Sequence, residues 1–333
     1  MPTKPDEERD GVKLTNLDQR LFDYAGVTKR DLVDYLDAVA DRLLPVLRDR
    51  ELSVIRVMRG EDAFMQKNVP KYTPSWVRTV EEWAESSKRN VRYAVCDDKR
   101  TLLWFGNQRA IEYHPSLLTT GHVMTHLVLD LDPPEGAAFP VAVAAARLVR
   151  AVLAEAGLDG AVKTSGAKGV HVFVPIAAGT SIEDAMHATR AIAERAAALD
   201  PALATTEFVK DKREGKVFVD ATRAGGATVI SAYSPRVRPN VPVSMPLAWE
   251  DLDNVTPLDF TLKTALGHLG DDDPWAELMP APFALPADLV AEGAEIPTPR
   301  VAAMHEGKRR KAAGKVWDEM KRRDAERRGS GRG

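Results

Sequence analysis

The sequence predicts an α+β protein. Apolar runs with two-residue alternation recur, as in "HLVLDLD" at 126–132. Amphipathic or Ala-rich runs with helical spacing stand between some of them. The two kinds do not alternate strictly, which argues against a purely βαβ chain.

Residues 1–11 are polar and charged and are expected to be disordered. "VKL" opens a short strand-like piece, and from Thr28 a helix follows, with Leu32, Tyr35, Leu36, Val39, Leu43 and Leu44 at helical spacing. "LSVIRVMRG" reads as a strand. "VRYAVCDDKRTLLWFG" reads as two strands turning at Asp97–Asp98, and "SWVRTVEEWAESS" before it as a short helix. After "MTHLVLDLDPP" comes an Ala-rich helix, "FPVAVAAARLVRAVLAEAGL". "AVKTSGAKGVHVFVPI" is a strand, a glycine loop and a strand. "SIEDAMHATRAIAERAAAL" is a helix with a capping start from Ser181 to Asp184. "GKVFVDAT" and "ATVISAYS" read as strands around a glycine turn. "VSMPLAWEDL" and "TPLDFTLKTAL" supply proline-punctuated strand and helix pieces. Residues 279–300 are proline-rich and read as an extended covering segment, and a basic helix and tail end the chain. The expected domains are a catalytic unit at 12–285 and a linker with a basic tail at 286–333.

With 333 residues the chain suits two modest domains or one large two-lobed one. A single cysteine, Cys96, excludes an internal disulfide framework and any cysteine-rich zinc site. No apolar run approaches the ~20 residues of a membrane span, and the polar start carries no secretory signal. The expected location is therefore the cytoplasm. A net charge of −3 argues against a globally basic nucleic-acid binder but leaves segregated charge open.

Three constellations carry chemistry. Asp130 and Asp132 are two apart on one strand and so share a face with His126 and Val128. Two such carboxylates repel unless a cation lies between them. A divalent metal and a strand end emerging into water both satisfy that constraint. A third carboxylate, Asp220, ends another apolar strand and strengthens the metal reading. Removing any one should then relieve repulsion. The third constellation is "TSGAKGVHV", where Ser165, Lys168 and His171 surround Gly166 and Gly169. Glycines let backbone N–H groups approach an anion. The spacing is not that of a Walker A loop. Arg223, Arg236 and Arg238 add cations for phosphate oxygens. Carboxylates for metal beside a cationic anion loop specify phosphoryl or nucleotidyl transfer.

"LVLDLDPPEG", "KTSGAKGVHVFVPI" and "GKVFVDATRAGGATVISAYSPRVRPNVPVSMPLAWEDL" closely resemble the polymerase domain of bacterial ligase D, of the archaeo-eukaryotic primase superfamily. The resemblance covers about residues 12–285, in family order. It implies a primase-like α+β core with antiparallel and mixed sheets flanked by helices, in a stand-alone, monomeric form. It implies DNA repair by non-homologous end joining or gap filling, through template-directed addition of ribo- or deoxyribonucleotides to a primer 3′-OH. Asp130, Asp132 and Asp220 become ligands of two Mn²⁺ or Mg²⁺ ions. Ser165, Lys168, His171 and Arg236 hold the triphosphate, His114 lies near the sugar, Phe64 stacks on a base and Lys67 meets DNA or nucleotide. Asn16 and Lys29 take a downstream 5′-phosphate. The implied partners are gapped, nicked or broken DNA, NTP or dNTP, Ku and a separate ligase. Three departures stand out. Met65 replaces a second aromatic, Gln19 stands where a lysine is usual, and the glycine turn after Arg223 is a residue shorter. His122 and His126 read as structural or surface residues, and Trp76, Trp83 and Trp104 as packing.

Two other classes remain open at this point. One is a haloacid-dehalogenase-like phosphohydrolase with Asp130 as nucleophile. The other is a non-catalytic DNA-end-binding module. Metal-dependent primer extension separates all three.

Overall fold

The computed structural model describes residues 7–22, 25–84 and 88–298. Residues 1–6 and the basic helix expected beyond residue 300 lie outside them. The chain opens with β1 (Glu7–Arg9) and β2 (Val12–Leu14), an antiparallel hairpin. Residues 7–11 are therefore structured, against expectation. Arg9 bonds Asp34 at 2.6 Å and Asp37 at 3.0 Å, which ties the hairpin to the helix that follows. That helix, α1 (Lys29–Ala38), starts where Thr28 predicts it. Thr28 accepts from Asp31 N, and Asp31 accepts from Thr28 N in return. It runs on through Val39 into α2 (Ala40–Leu47).

Next come β3 (Arg50–Arg56), β4 (Phe64–Gln66), β5 (Thr79–Ala84), β6 (Arg89–Val95), α3 (Lys99–Asn107) and β7 (Ala110–Thr119). They form a five-stranded sheet in the order β4-β3-β6-β5, with β7 also paired to β3. Two expectations are corrected here. The stretch read as a helix is β5, an edge strand whose alternation is masked because Trp83 is 58% exposed rather than packed. The second expected strand after Asp97–Asp98 is α3. Asp98 caps it by accepting from Thr101 N, and its apolar residues are buried.

The second sheet is built from β8 (His126–Asp132), then, after α4 (Phe139–Glu155), β9 (Ala161–Thr164) and β10 (Val170–Pro175). Beyond α5 (Ile182–Leu199) follow β11 (Ala204–Thr205), β12 (Val217–Asp220) and β13 (Pro246–Leu247). The order is β11-β12-β8-β10-β9-β13, antiparallel except for β11 with β12. Leu127, Leu129 and Leu131 of β8 are fully buried, and α4 and α5 pack against this sheet. The alternation along β8 thus turns Asp130 and Asp132 to the opposite face.

"ATVISAYS" forms no named strand. It stitches the two sheets instead: Val229 N and Ser231 N donate to Pro115 and Tyr113 carbonyls of β7, and Tyr233 N donates to Ser244 O. Two short helices, α6 (Ala265–His268) and α7 (Pro274–Leu278), precede α8 (Ala287–Glu295). This last helix replaces the extended segment expected there. It packs on α5, where Arg195 pairs with Glu292 at 2.5 Å.

His126 begins β8, with Nδ1 2.8 Å from Thr125 Oγ1 and its ring edge-on to Phe173. Desolvation, with the Arg50 charge adding, pulls its pKa from 6.5 down to about 4. The unfolded chain therefore takes the proton first. This contribution to stability is complete above pH 6.5 and is lost as pH falls through about 4. Urea unfolding should show up to about 1.4 kcal/mol lost per pH unit in that window from this residue. His126→Gln should flatten the dependence, leaving the parallel loss from His171, whose pKa is also about 4.

Candidate functional site

The strand register assembles one row of side chains across the second sheet. Asp220 of β12 lies opposite Asp130 of β8, Asp130 opposite His171 of β10, and His171 opposite Lys163 of β9. Asp132, two residues on, shares the Asp130 face and pairs in register with Phe218. Asp220, Asp130 and His171 of this row floor a cleft of about 1150 Å³, also lined by Asp132, Met65, His114, Ser165, Lys168, Arg213, Arg223, Arg236 and Arg238.

Each carboxylate is met by cations or donors. His171 Nε2 is 3.2 Å from Asp130 Oδ1, and Arg223 Nη2 is 2.9 Å from Asp130 Oδ2. Burial by itself would raise the Asp130 pKa, but His171 and Arg223 hold it well below the usual carboxylate range. Arg223 Nε is 3.2 Å from Asp220 Oδ2. Lys168 Nζ and Arg213 Nη1 lie 3.2 and 3.4 Å from Asp132. Removing Asp130 therefore takes a partner from both Arg223 and His171 rather than only relieving repulsion, which corrects the sequence-based expectation.

Lys163 is fully buried and donates to Ser244 Oγ at 2.6 Å and to His171 Nδ1 at 3.0 Å. Burial, with Arg236 adding, pulls its pKa far down. The Asp130 carboxylate can only accept, so neutral His171 carries its proton on Nε2, the nitrogen facing Asp130, and Nδ1 is left to accept from Lys163. Lys163 escaped the sequence reading because only the strand register brings it to His171.

The glycine loop between β9 and β10 is closed by Ser165, whose Oγ accepts from Ala167 N at 3.2 Å and Gly169 N at 3.1 Å. Only glycine fits twice here. A Cβ on Gly166 would lie 2.9 Å from Ser244 N, and one on Gly169 2.3 Å from Leu131 O. Arg236 Nη1 donates to Ser165 O at 2.5 Å, joining the loop to the stitching segment.

His114 of β7 faces the same cleft. Its Nε2 is 2.8 Å from Glu112 Oε2. Desolvation lowers the His114 pKa, so at neutral pH the imidazole is uncharged and donates through Nε2. Nδ1 is left as an acceptor. Glu112, 4% exposed, also takes Val237 N at 2.8 Å and lies 3.3 Å from Arg236 Nε. It holds two of the expected nucleotide residues in place. The signal was present in the two-residue spacing to His114.

The remaining expected residues lie apart from this centre. Phe64 and Met65 sit on β4 and are 41% and 45% exposed, but of the two Met65 lines the cleft. Lys67 is exposed just past that strand. Asn16, Gln19 and Lys29 meet in one turn near α1, where Gln19 N donates to Asn16 O and Lys29 N to Gln19 O. Lys29 is not a free surface cation. It is 3% exposed, its Nζ donates to Thr15 O at 2.5 Å, and burial with the Arg109 charge lowers its pKa to about 8.

An all-carboxylate donor set suits a hard divalent ion. Among the described residues no three acidic, histidine or cysteine side chains converge closely enough to hold one as they stand. Yet one guanidinium already spans Asp130 and Asp220, so these two oxygens reach a common cation. Asp132 is drawn aside by Lys168 and Arg213. The residues fit a metal once those cations yield.

Comparison with known proteins bears on this geometry. The family described as "LigD, primase-polymerase domain" matches residues 28–275. The bifunctional non-homologous end joining protein LigD of Bacillus subtilis is 33% identical over 264 residues, 78% of this chain and 42% of that protein. The multifunctional non-homologous end joining DNA repair protein LigD of Mycobacterium tuberculosis is 32% identical over 284 residues, 81% of this chain and 37% of that protein. The chain thus spans about two-fifths of the length of these curated relatives. Among solved structures, the polymerase domain of M. tuberculosis ligase D in complex with DNA matches with a TM-score of 0.72 and 30% identity, covering 87% of this chain and 100% of that one.

Glu112 provides a test of the site's electrostatics. Burial alone would raise its pKa, but the His114 hydrogen bond, the Arg236 charge and Val237 N bring it from 4.5 to about 2. Its stabilisation is therefore present above pH 4.5 and lost as pH falls through about 2. Glu112→Gln should cost roughly 2–3 kcal/mol at pH 7 in chemical denaturation. The gap from wild type should narrow below pH 4.5.

Proposed function

The chain belongs to the LigD primase-polymerase family of nucleotidyltransferases, and from that premise we propose that it adds ribo- or deoxyribonucleotides to a primer 3′-OH, directed by a template, during DNA end joining or short-gap filling. The observation that carries this reading is the cross-sheet row in which Asp220, Asp130 and His171 stand side by side below a cationic cleft.

Divalent-metal dependence goes with the family. We take the ions to be two Mn²⁺ or Mg²⁺, held by Asp130, Asp132 and Asp220. Such ions, when bound, lower the pKa of an attacking hydroxyl and offset charge on a leaving pyrophosphate. The chain's own side chains do the rest. Ser165, Lys168, His171 and Arg236 bind and orient the triphosphate. Asp130 keeps the His171 proton on Nε2, and Glu112 keeps Arg236 and His114 aimed into the cleft. The free Nδ1 of His114 accepts a sugar hydroxyl, a contact that distinguishes ribose from deoxyribose. Met65, with Phe64 and Lys67 beside it, supports a base or template strand. Asn16 and Gln19 face a downstream 5′-phosphate, with Lys29 held behind them on Thr15 O.

We take residues 12–285 as the core of the catalytic unit, acting as a monomer on gapped, nicked or broken DNA in the bacterial cytoplasm. Ku and a separate ligase are the proposed partners. Among the described residues no helix is long and apolar enough to cross a membrane. The two other classes are not favoured. A phosphohydrolase of that class would carry Asp130 near the start of a Rossmann-type domain, whereas here it lies on a central strand flanked by antiparallel neighbours. A pure binding module has no use for carboxylates facing phosphate.

Primer extension on gapped, tailed and unprimed DNA, with each nucleotide type and each metal, tests the reading. Asp130→Asn, Asp132→Asn and Asp220→Asn should each reduce extension by roughly 10²-fold or more. Substantial activity in Asp130→Asn sinks the assignment.

Recognition of a downstream 5′-phosphate should be weak in the wild type, because Gln19 offers a neutral bond and Lys29 is spent on Thr15 O. A charged donor is about twice as strong as a neutral one. Gln19→Lys should increase the preference for 5′-phosphorylated gaps and steepen its salt dependence. Affinity for gapped DNA with and without the phosphate reads this directly. A strong wild-type preference that Gln19→Lys leaves unchanged would place position 19 outside the pocket.

A further inference from the structure

Arg223 lies in the turn that follows β12, and its guanidinium reaches back over the strand ends. Nη2 is 2.9 Å from Asp130 Oδ2, and Nε is 3.2 Å from Asp220 Oδ2. One monovalent guanidinium thus serves the two carboxylates that face each other in the sheet register, hydrogen-bonded to Asp130 and in ion-pair contact with Asp220. This is the place where a divalent ion would be held. A guanidinium and a metal cannot both occupy it, since metal–carboxylate distances are only ~2.0–2.6 Å.

We propose that Arg223 is an internal competitor for the metal. It neutralises Asp130 and Asp220 until a divalent ion displaces it, and the displaced guanidinium then binds the incoming triphosphate. Metal and nucleotide consequently bind cooperatively. This rests on the metal reading given above and adds to it a residue that sets the order and strength of binding.

Three observations support the exchange. Every acidic side chain of the site is already met by a cation: Arg223 takes Asp130 and Asp220 together, while Lys168 and Arg213 draw Asp132 aside. Arg223 has somewhere to go. Its side chain is 38% exposed and lines the same cleft as Ser165, Lys168 and Arg236, so it can leave the carboxylates without leaving the site. Finally, the charge pattern suits the exchange. A doubly charged ion replaces a singly charged one between the carboxylates, and the freed cation meets an anion. Arginine is apt for this because its charge is permanent and its fork grips carboxylate and phosphate equally well. By linkage, what Arg223 costs the metal in the absence of nucleotide is returned when nucleotide is present.

The experiment is an Mn²⁺ titration of the full chain without nucleotide, followed by the electron paramagnetic resonance signal of free Mn²⁺. Arg223→Gln should bind Mn²⁺ about tenfold more tightly than wild type, inside the 5–150-fold range usual for coupled sites. In EDTA it should melt at a lower temperature than wild type, with a larger rise on adding Mn²⁺. Its affinity for a non-hydrolysable triphosphate with Mn²⁺ present should fall by a similar factor. Arg223→Lys, which keeps the charge but not the fork, should fall between the two in Mn²⁺ affinity, and it serves if the Gln variant does not fold. Mn²⁺ affinity equal to or weaker than wild type in Arg223→Gln overturns the proposal. Asp130→Asn separates the two levels. If it binds Mn²⁺ as wild type does, the metal reading itself fails. If it loses Mn²⁺ while Arg223→Gln matches wild type, only the role of Arg223 falls.

Discussion

Three carboxylates share one face of a sheet and need cations beside them, and most of the site follows from that constraint. Asp130 sits on a central strand with Asp220 on one side and His171 on the other. Burial alone would push its proton on; His171 and Arg223 keep it off. The arrangement depends on register, because a slip of one residue would turn every carboxylate into the helical layer. The fully buried Leu127, Leu129 and Leu131, packed under α4 and α5, are what prevent that slip. The apolar side of β8 thereby positions its charged side.

The cleft needs a second wall, and the segment after the glycine turn supplies it. Residues 229–236 bond to β7 on one side and to residues 242–244 on the other. Tyr35 of α1 adds a buried bond from its hydroxyl to Tyr233 O at 2.8 Å. Arg236 is carried across this seam to the glycine loop, and Glu112 reaches it from the other sheet. The glycine-loop side and the His114 side of the cleft are thus held by one connected set of bonds.

Legibility in the sequence followed burial. Where one face is buried and the other polar, as in β8, α1 and α5, periodicity identified the elements, and in β8 it identified the residues facing the cleft. It failed at β5, an edge strand with exposed Trp83, because a strand with little burial has no clean alternation. It failed at α3 because Leu102–Phe105 is buried all round, and a short apolar run looks the same in either conformation. The Asp98 cap was the available signal. Residues 7–11 looked disordered because their order comes from Arg9 reaching Asp34 and Asp37, about 25 residues away in sequence.

By itself, the sequence determined the fold class, the three aspartates, the glycine loop and, through their resemblance to known motifs, the family. These are local patterns, set by two-residue alternation and by glycine spacing. Tertiary structure decided which charges meet. Lys163 reaches His171, Glu112 gathers His114 and Arg236, and Arg223 bridges Asp130 and Asp220, each through a pairing of distant strands or a turn folded back on its own strand. It also withdrew Lys29 from the surface. Electrostatic partnership depends on distance and desolvation in three dimensions, and neither is written in the order of residues along a chain.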